Sequence, residues 1–129
     1  MAFIMVADDD PLLTEIVRFK LESDGHRHSI AENGEQVLAA INLEQPDLLI
    51  LDAMMPVLAG QQVLERLKAD PATASIPVIM LTARKGEDNV IVALRSGAED
   101  YITKPFIPDE LLLRVNTILG RAGKSHVAS

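Results

Sequence analysis

The chain has 129 residues, enough for one domain with a single core, and its formal net charge of −7 argues against nucleic acid as a direct partner. It contains no cysteine, which excludes a disulfide framework and a thiolate zinc site. Its apolar runs are far shorter than the roughly 20 residues that span a bilayer, and its N-terminus does not resemble a signal peptide. We therefore expect no membrane association and a cytoplasmic location.

Short apolar runs alternate with longer segments of helical period along the chain. In chain order the runs that predict strands are FIMVA (3–7), the weaker HRHSIA (26–31), DLLILDA (47–53), PVIMLTA (77–83) and the shorter DYITK (100–104). The strongest of them are apolar almost without interruption. This pattern is typical of parallel strands that are covered on both faces by helices.

Five helices are predicted after these strands. Asp10 can cap the first, which Pro11 opens and Gly25 follows. The others are expected from about Gly34 to before Pro46, from Gly60 to about DPATAS, from about Glu87 to Ser96 with Gly97 beyond, and from Pro108 onward. The residues expected to face the core are Leu13, Ile16, Val17, Leu21, Val37, Leu38, Ile41, Val63, Leu64, Leu67, Ile91, Leu94, Leu111, Leu112, Val115, Ile118 and Leu119. His26 and His28 are expected at the surface.

Five βα units in succession predict an α/β fold with a doubly wound, five-stranded parallel sheet. Ligands of such sheets bind outside the carboxyl ends of the strands. The polar residues that follow or end these strands are Asp8, Asp9, Asp52, Thr82 and Lys104. The sequence therefore predicts that five polar side chains converge on one edge.

Asp8, Asp9 and Asp52 would repel one another at that edge unless a cation neutralised them. A few carboxylates with no nitrogen or sulfur ligand favour Mg²⁺, which keeps several of its waters. Lys104 and the Thr82 hydroxyl are suited to phosphoryl oxygens, and a carboxylate can act as the nucleophile that forms an acyl phosphate. The pattern thus indicates a phosphoryl-transfer site.

Four motifs occur in order at compatible spacings: DDDP, LILDAMMP, MLTA and GAEDYITKPF. Through them the chain, over about residues 2–121, resembles the CheY-like receiver domain of bacterial two-component response regulators. The resemblance implies a flavodoxin-like strand order of 2-1-3-4-5 and a receiver domain at 1–121, with 122–129 as a flexible tail or truncated linker. It also implies a cis peptide bond between Lys104 and Pro105.

The resemblance assigns a role to each residue of the predicted site. It makes Asp52 the phosphoacceptor, and it makes Asp8, Asp9, Asp52 and the backbone carbonyl of Met54 the protein ligands of Mg²⁺. Asp10, next to Asp9, is expected to cap the first helix only.

Two further roles and the partners follow from the same resemblance. Thr82 and Lys104 would assist the transfer, and Thr82 and Tyr101 would form the switch. The chain would accept its phosphoryl group from a histidine kinase or a histidine phosphotransfer protein, as in a phosphorelay. It would catalyse its own phosphorylation and dephosphorylation without being a turnover enzyme on an external metabolite.

Departures from the family pattern occur on the predicted third and fourth helices. Ala59 stands where many receivers have Asp, so it cannot cap the third helix. In one branch of the family, basic residues on the fourth helix form salt bridges across a dimer, and Val90 and Val92 stand at their positions here. The other half of that salt-bridge network is retained as Asp100, Glu110 and Arg114. We expect a downstream partner or a second subunit to dock by apolar contact on the face of the fourth helix, fifth strand and fifth helix, with Val90 or Val92 exposed.

Three alternatives have a physical basis. A Mg²⁺-dependent aspartyl phosphatase needs a second aspartate two residues after its nucleophile, where this chain has Met54. A mononucleotide-binding module needs a phosphate loop after the first strand, but ADDDP would repel phosphate. An interaction module that is never phosphorylated would not need the complete acidic set.

Overall fold

The computed structural model of the protein describes residues 2–82, 91 and 95–121. Its five strands form one parallel sheet in the order β2-β1-β3-β4-β5, as predicted. The strands are β1 (Phe3–Ala7), β2 (Arg27–Ala31), β3 (Leu48–Asp52), β4 (Val78–Thr82) and β5 (Asp100–Thr103). Each lies inside the segment that predicted it. β1, β3 and β4 are buried at every position, which is why their sequences are apolar almost without interruption.

The described helices cover both faces of this sheet. They are α1 (Pro11–Ser23), α2 (Gly34–Leu43), α3 (Gly60–Ala69) and a C-terminal helix (Pro108–Arg121). The helix predicted at 87–96 lies largely outside the described residues, as do Val90, Val92, Leu94 and the predicted tail at 122–129. In the described parts of the chain, no helix is both long and apolar enough to cross a membrane.

Two hydrophobic cores lie on opposite faces of the sheet because successive strand residues point to opposite faces. On one face Met5, Leu49 and Leu51 pack with residues of α2 and α3. On the other face Ile4 and Ile50 pack with residues of α1 and the C-terminal helix. Both cores end at the same carboxyl edge, so both support the side chains that follow the strands.

The helix ends explain how the chain turns at this edge. The Asp10 side chain accepts hydrogen bonds from the N–H groups of Leu12 (3.0 Å) and Leu13 (3.4 Å), which confirms it as the cap of α1. Ala59 makes no such bond, and the Gln62 side chain instead accepts one from the Ala59 N–H at 3.2 Å. The start of α3 is therefore held by its own first turn.

Some residues predicted to face the core are exposed. Ile16 is 42% exposed and Ile91 is also 42% exposed, so both predictions are wrong. In α1 the inward stripe consists of Thr14, Val17 and Leu21, and Ile16 lies beside it. Ile91 belongs to a run of five apolar residues, of which one helical stripe can bury only some.

His26 was predicted at the surface, and this is wrong because its side chain is fully buried. Its Nδ1 accepts a hydrogen bond from the Ala2 N–H at 3.3 Å, and its Nε2 lies 3.0 Å from Asn116 Oδ1. The Asn116 amide in turn donates to Asp24 at 2.8 Å. His26 thus joins the start of β1, the end of α1 and the C-terminal helix at the amino edge of the sheet. His28, by contrast, is half-buried.

Candidate functional site

Three carboxylates meet at the carboxyl edge of the sheet, as the sequence predicts. Asp8 and Asp9 follow β1 and Asp52 ends β3, and one oxygen from each of the three lies within 4.8 Å of the others. Asp8 and Asp52 are buried, whereas Asp9 is exposed. The cluster therefore has two acids inside the protein and one that faces water.

Asp52 is held by the loop that follows it. Its Oδ1 accepts a hydrogen bond from the Met54 N–H at 3.0 Å. Burial raises the pKa of Asp52 above its ordinary value and the charge of Asp8 adds to this, while the Met54 N–H and Lys104 act in the opposite direction. The side chain is thus a carboxylate in fixed position whose negative charge is only partly compensated.

Lys104 supplies the positive charge of the site. Its Nζ lies 2.7 Å from Asp8 Oδ2 and 3.3 Å from Asp52 Oδ2. Burial alone would lower the lysine pKa, but the hydrogen bond to Asp8 and the charges of Asp52 and Asp8 outweigh it and raise the pKa. The Lys104–Pro105 peptide is cis, which confirms that prediction.

Thr82 lies on β4, which is beside β3, and Tyr101 lies on the edge strand β5. Thr82 is the buried last residue of β4, and its carbonyl accepts a hydrogen bond from the Lys104 N–H at 2.6 Å. Tyr101 is half-buried on β5 opposite Met80 and packs against the core on the α2–α3 face. The structure therefore brings Thr82 to the acidic edge but places Tyr101 on the neighbouring core.

The predicted partner residues on β5 and the C-terminal helix are joined within the chain. Arg114 bonds Asp100 at 2.8 Å and Glu110 at 3.0 Å. All three side chains are partly exposed, so they form a polar surface cluster beside Tyr101.

The loop between β3 and α3 contains two positions with a constrained backbone. Val57 has a φ of 70°, in the left-handed region that β-branched residues rarely adopt. A Cβ on Gly60 would lie 2.0 Å from the Asp52 carbonyl oxygen, so only glycine fits where α3 begins. Met54, whose carbonyl was predicted to bind metal, has its side chain 56% exposed in this loop.

An apolar groove of about 400 Å³ borders the site, and sequence reasoning missed it. Asp10 and Lys104 line it together with apolar residues of α1 and of the segment before the C-terminal helix, namely Leu12, Leu13, Ile16, Pro105, Phe106 and Pro108. Leu12, Ile16 and Phe19 continue it as an exposed stripe along α1. Their spacing was the available signal, because positions i, i+4 and i+7 share one face of a helix.

The fold and the site together define the class of protein. It is a doubly wound α/β domain whose carboxyl edge carries an acidic cluster and a lysine. Within that class, the family described as the response regulator receiver domain matches residues 4–116, and the chain belongs to this family. Receiver domains are the phosphorylation-type signalling switches of two-component systems.

Individual relatives agree with this assignment. The chain is 45% identical over 120 residues to the phosphate regulon transcriptional regulatory protein PhoB of Pseudomonas aeruginosa, covering 93% of this chain and 52% of PhoB. It thus spans about half the length of the curated relatives it matches. The solved receiver domain of the Francisella response regulator 1452 has a TM-score of 0.89 and 37% identity, with 95% of this chain and 99% of that chain covered.

A divalent cation fits the donor set of this edge. Asp8, Asp9 and Asp52 offer only oxygen ligands, and among the described residues their three charges face Lys104. The response regulator Rcp1 was solved in an Mn²⁺-bound form and matches this chain with a TM-score of 0.80 and 26% identity over 93% of each chain. Receiver domains generally bind Mg²⁺ through such an acidic cluster, and these residues are compatible with that role.

Proposed function

We propose that the protein is a phosphorylation-activated switch that accepts a phosphoryl group on Asp52 from a histidine kinase or a histidine phosphotransfer protein. The observation that carries the proposal is the position of Asp52, a buried carboxylate beside the acidic pair Asp8 and Asp9 and 3.3 Å from Lys104 Nζ. We place this reaction in the cytoplasm, which is the typical location of receiver domains.

In the proposed transfer, an Asp52 carboxylate oxygen attacks phosphorus and the bond from phosphorus to the donor breaks. The donor leaves with the bonding electron pair, and an acyl phosphate forms on Asp52. Asp8, Asp9, Asp52 and the Met54 carbonyl would hold Mg²⁺, which when bound neutralises charge on the phosphoryl oxygens. Later attack by water releases inorganic phosphate and restores the carboxylate.

Lys104 and Thr82 would stabilise the phosphoryl group after transfer. The Lys104 ammonium already lies among the carboxylates, and the Thr82 backbone is joined to Lys104 at the same edge. We propose that contact of Thr82 with the phosphoryl group changes the packing available to Tyr101. The resulting shift between two packings alters the surface of the predicted fourth helix, β5 and the C-terminal helix, where a downstream partner or second subunit would bind.

The donor is proposed to dock over the apolar groove beside the site. The groove and the acidic cluster share Lys104, so a protein that reaches Asp52 can also cover Leu12 and Ile16. Leu12, Ile16 and Phe19 are all exposed along one face of α1, and a contiguous exposed apolar patch of this kind often marks an interaction site. Ile16→Glu should therefore slow transfer from a phosphorylated donor protein and leave acetyl phosphate labelling unchanged.

Acetyl phosphate with Mg²⁺ tests the proposal directly. Intact-mass spectrometry should detect one added phosphoryl group on the wild type and none on Asp52→Asn, because the amide is a poor nucleophile of nearly the same shape. Asp47→Asn is the matched control, since Asp47 lies at the amino edge and accepts a hydrogen bond from the Phe3 N–H. An adduct on Asp52→Asn equal to that of the wild type would contradict the proposal and favour an interaction module or another acceptor.

A further inference from the structure

The first turn of α2 is in close contact with the loop between β3 and α3. Gly34, the first residue of α2, is buried, and a Cβ built on it would lie 2.7 Å from Leu58 Cβ and 2.8 Å from Val63 Cγ2. The Leu58 carbonyl oxygen would be closer still. Because this oxygen belongs to the backbone, no side-chain rotation can relieve the contact. A larger residue at Gly34 would therefore have to move either the loop or the helix.

The start of α2 is held in place by its own bonds. The Asn33 side chain accepts a hydrogen bond from the Gln36 N–H at 3.0 Å, and the Gln36 side chain accepts one from the Glu32 N–H at 2.8 Å. The first of these bonds satisfies a backbone donor that the first turn of a helix otherwise leaves free. Val37, in the same turn, is fully buried in the core. We therefore expect the loop, and not the helix, to yield when the contact is overfilled.

The loop is closed at its base, so a displacement of Leu58 would be absorbed inside the loop. The Gly60 N–H donates to the Ala53 carbonyl at 3.0 Å, which joins the two ends of the loop. Within it, the Leu58 N–H donates to the Pro56 carbonyl at 2.7 Å and closes a three-residue turn. A shift of Leu58 would thus pass to this turn and to the segment before it, which carries the backbone N–H and carbonyl of Met54.

We infer that Gly34 is a positioning residue for phosphoryl transfer, because it leaves the room for Leu58 that lets the loop present Met54 to the acidic cluster. The Met54 N–H holds Asp52 Oδ1 at 3.0 Å, and the Met54 carbonyl is a proposed ligand of the cation. The inference rests on the proposed function and adds the start of α2 to the elements that set the geometry of the site. Gly34 acts through Leu58 and not by contact with the phosphoryl group.

Mg²⁺ titration calorimetry on two glycine variants tests the inference. Gly34→Ala should bind Mg²⁺ about tenfold more weakly than the wild type, since loss of the groups that orient a ligand typically costs roughly 10–100-fold in metal affinity. Gly120→Ala is the matched control, because among the described residues no atom lies within 4 Å of a Cβ at that position. Its Mg²⁺ affinity should equal that of the wild type. Circular dichroism establishes that each protein is folded before titration.

A second pair of variants removes the contact instead of overfilling it. Leu58→Ala leaves Gly34 unchanged but removes the buried side chain that packs the turn into the core, so its Mg²⁺ affinity should also fall by about tenfold. Val63→Ala is its control, because Val63 belongs to the same core but lies on α3. This variant should lose stability and keep its Mg²⁺ affinity. The pair decides the question even if Gly34→Ala folds poorly.

The rate of labelling by acetyl phosphate, at Mg²⁺ below saturation, should fall by a similar factor in Gly34→Ala and Leu58→Ala and stay unchanged in the two controls. Wild-type Mg²⁺ affinity in both of these variants, or an equal loss in Val63→Ala, would overturn the inference, because the contact would then support only the fold. So would a wild-type protein that binds no Mg²⁺.

Those results would leave the phosphoacceptor assignment intact, because the acetyl phosphate test of Asp52→Asn does not involve α2. Conversely, a phosphoryl adduct on Asp52→Asn would refute the proposed function without changing the order of Mg²⁺ affinities among the four variants.

Discussion

Buried polar groups are hydrogen-bonded to one another at the amino edge of the sheet but are only partly charge-compensated at the carboxyl edge. At the amino edge, His26, Asn116 and Asp24 form one continuous set of hydrogen bonds that ends on the Ala2 N–H. At the carboxyl edge, as far as the chain is described, three carboxylates face the ammonium of Lys104. The first edge satisfies its donors and acceptors, and the second retains a charge imbalance.

This difference separates residues that stabilise the fold from residues kept for chemistry. A buried polar group with all its partners contributes to stability and to a unique packing. An uncompensated acidic cluster lowers stability, and in the proposed function it is required as a nucleophile and a cation site. Substitutions at the two edges should therefore have opposite signs.

The largest effect is expected at the amino edge. His26→Leu removes the partner of the Ala2 N–H and of Asn116, so the free energy of unfolding should fall by about 2–3 kcal/mol. Phosphorylation by acetyl phosphate in the folded protein should not change. Urea denaturation measures the loss, and half-buried His28→Leu serves as the control with a smaller expected effect. Equal losses in both variants would remove the special role of this edge.

At the carboxyl edge, relief of backbone strain should stabilise the protein. Val57 is 70% exposed and has φ 70°, so Val57→Gly loses little packing and removes a conformation that costs about 1–2 kcal/mol. After the entropy that glycine adds to the unfolded chain, we expect a gain of about 1 kcal/mol. Val57→Ala should gain less, because alanine keeps a Cβ. Thermal melting of the wild type and the two variants measures these differences in stability. A lower stability of Val57→Gly would show that the valine side chain stabilises the loop.

Removal of one carboxylate should give a smaller gain. In chelator, Asp9→Asn should raise the free energy of unfolding by about 0.5 kcal/mol, since an exposed charge interacts weakly through solvent. Added Mg²⁺ should raise the melting temperature of the wild type by mass action and have less effect on the variant. Differential scanning calorimetry with and without Mg²⁺ measures both quantities. An Asp9→Asn protein as responsive to Mg²⁺ as the wild type would contradict the assignment of Asp9 as a ligand.

The smallest expected effect is a change in the free energy of unfolding with pH. Burial raises the pKa of folded Asp52 above the value of 3.8 for an exposed carboxyl, so the folded state holds this proton more tightly than the unfolded state. Stability should therefore fall as pH rises from about that value through the raised pKa. Asp52→Asn has no carboxyl to titrate at this position. In chelator, the free energy of unfolding of the variant minus that of the wild type should therefore be larger at neutral pH than near pH 4. Urea melts across the range that show a constant difference would exclude the shift.

The sequence was sufficient to predict the carboxyl edge. Apolar runs fix the strands, and parallel order places the residue after each strand at a common edge, so Asp8, Asp52 and Lys104 could be brought together without coordinates. The cis bond before Pro105 followed from family resemblance, not from spacing. The roles of Asp52, Thr82 and Tyr101 stay predictions until the chemistry is measured.

The amino edge could not be predicted in the same way. His26 and Asn116 are 90 positions apart, and their contact depends on the rotation of the C-terminal helix against α1. The exposure of Ile16 has a related cause, because the stripe of α1 that faces the sheet includes Thr14, whose hydroxyl bonds the Pro11 carbonyl at 3.1 Å. A hydrophobic pattern alone ranks isoleucine above threonine as a core residue, and tertiary packing reversed that order.

The strand order also determines where amide hydrogens should exchange with solvent. β3 lies between β1 and β4, and all five of its residues are buried, so its amides should open only with global unfolding. β5 is a four-residue edge strand with one buried residue, and its amides should exchange through local opening. Asp52 therefore ends a strand that stays fixed, whereas Tyr101 lies on one that can open cheaply. The protein therefore holds its proposed phosphoacceptor on the central strand and its proposed switch residue on an edge strand.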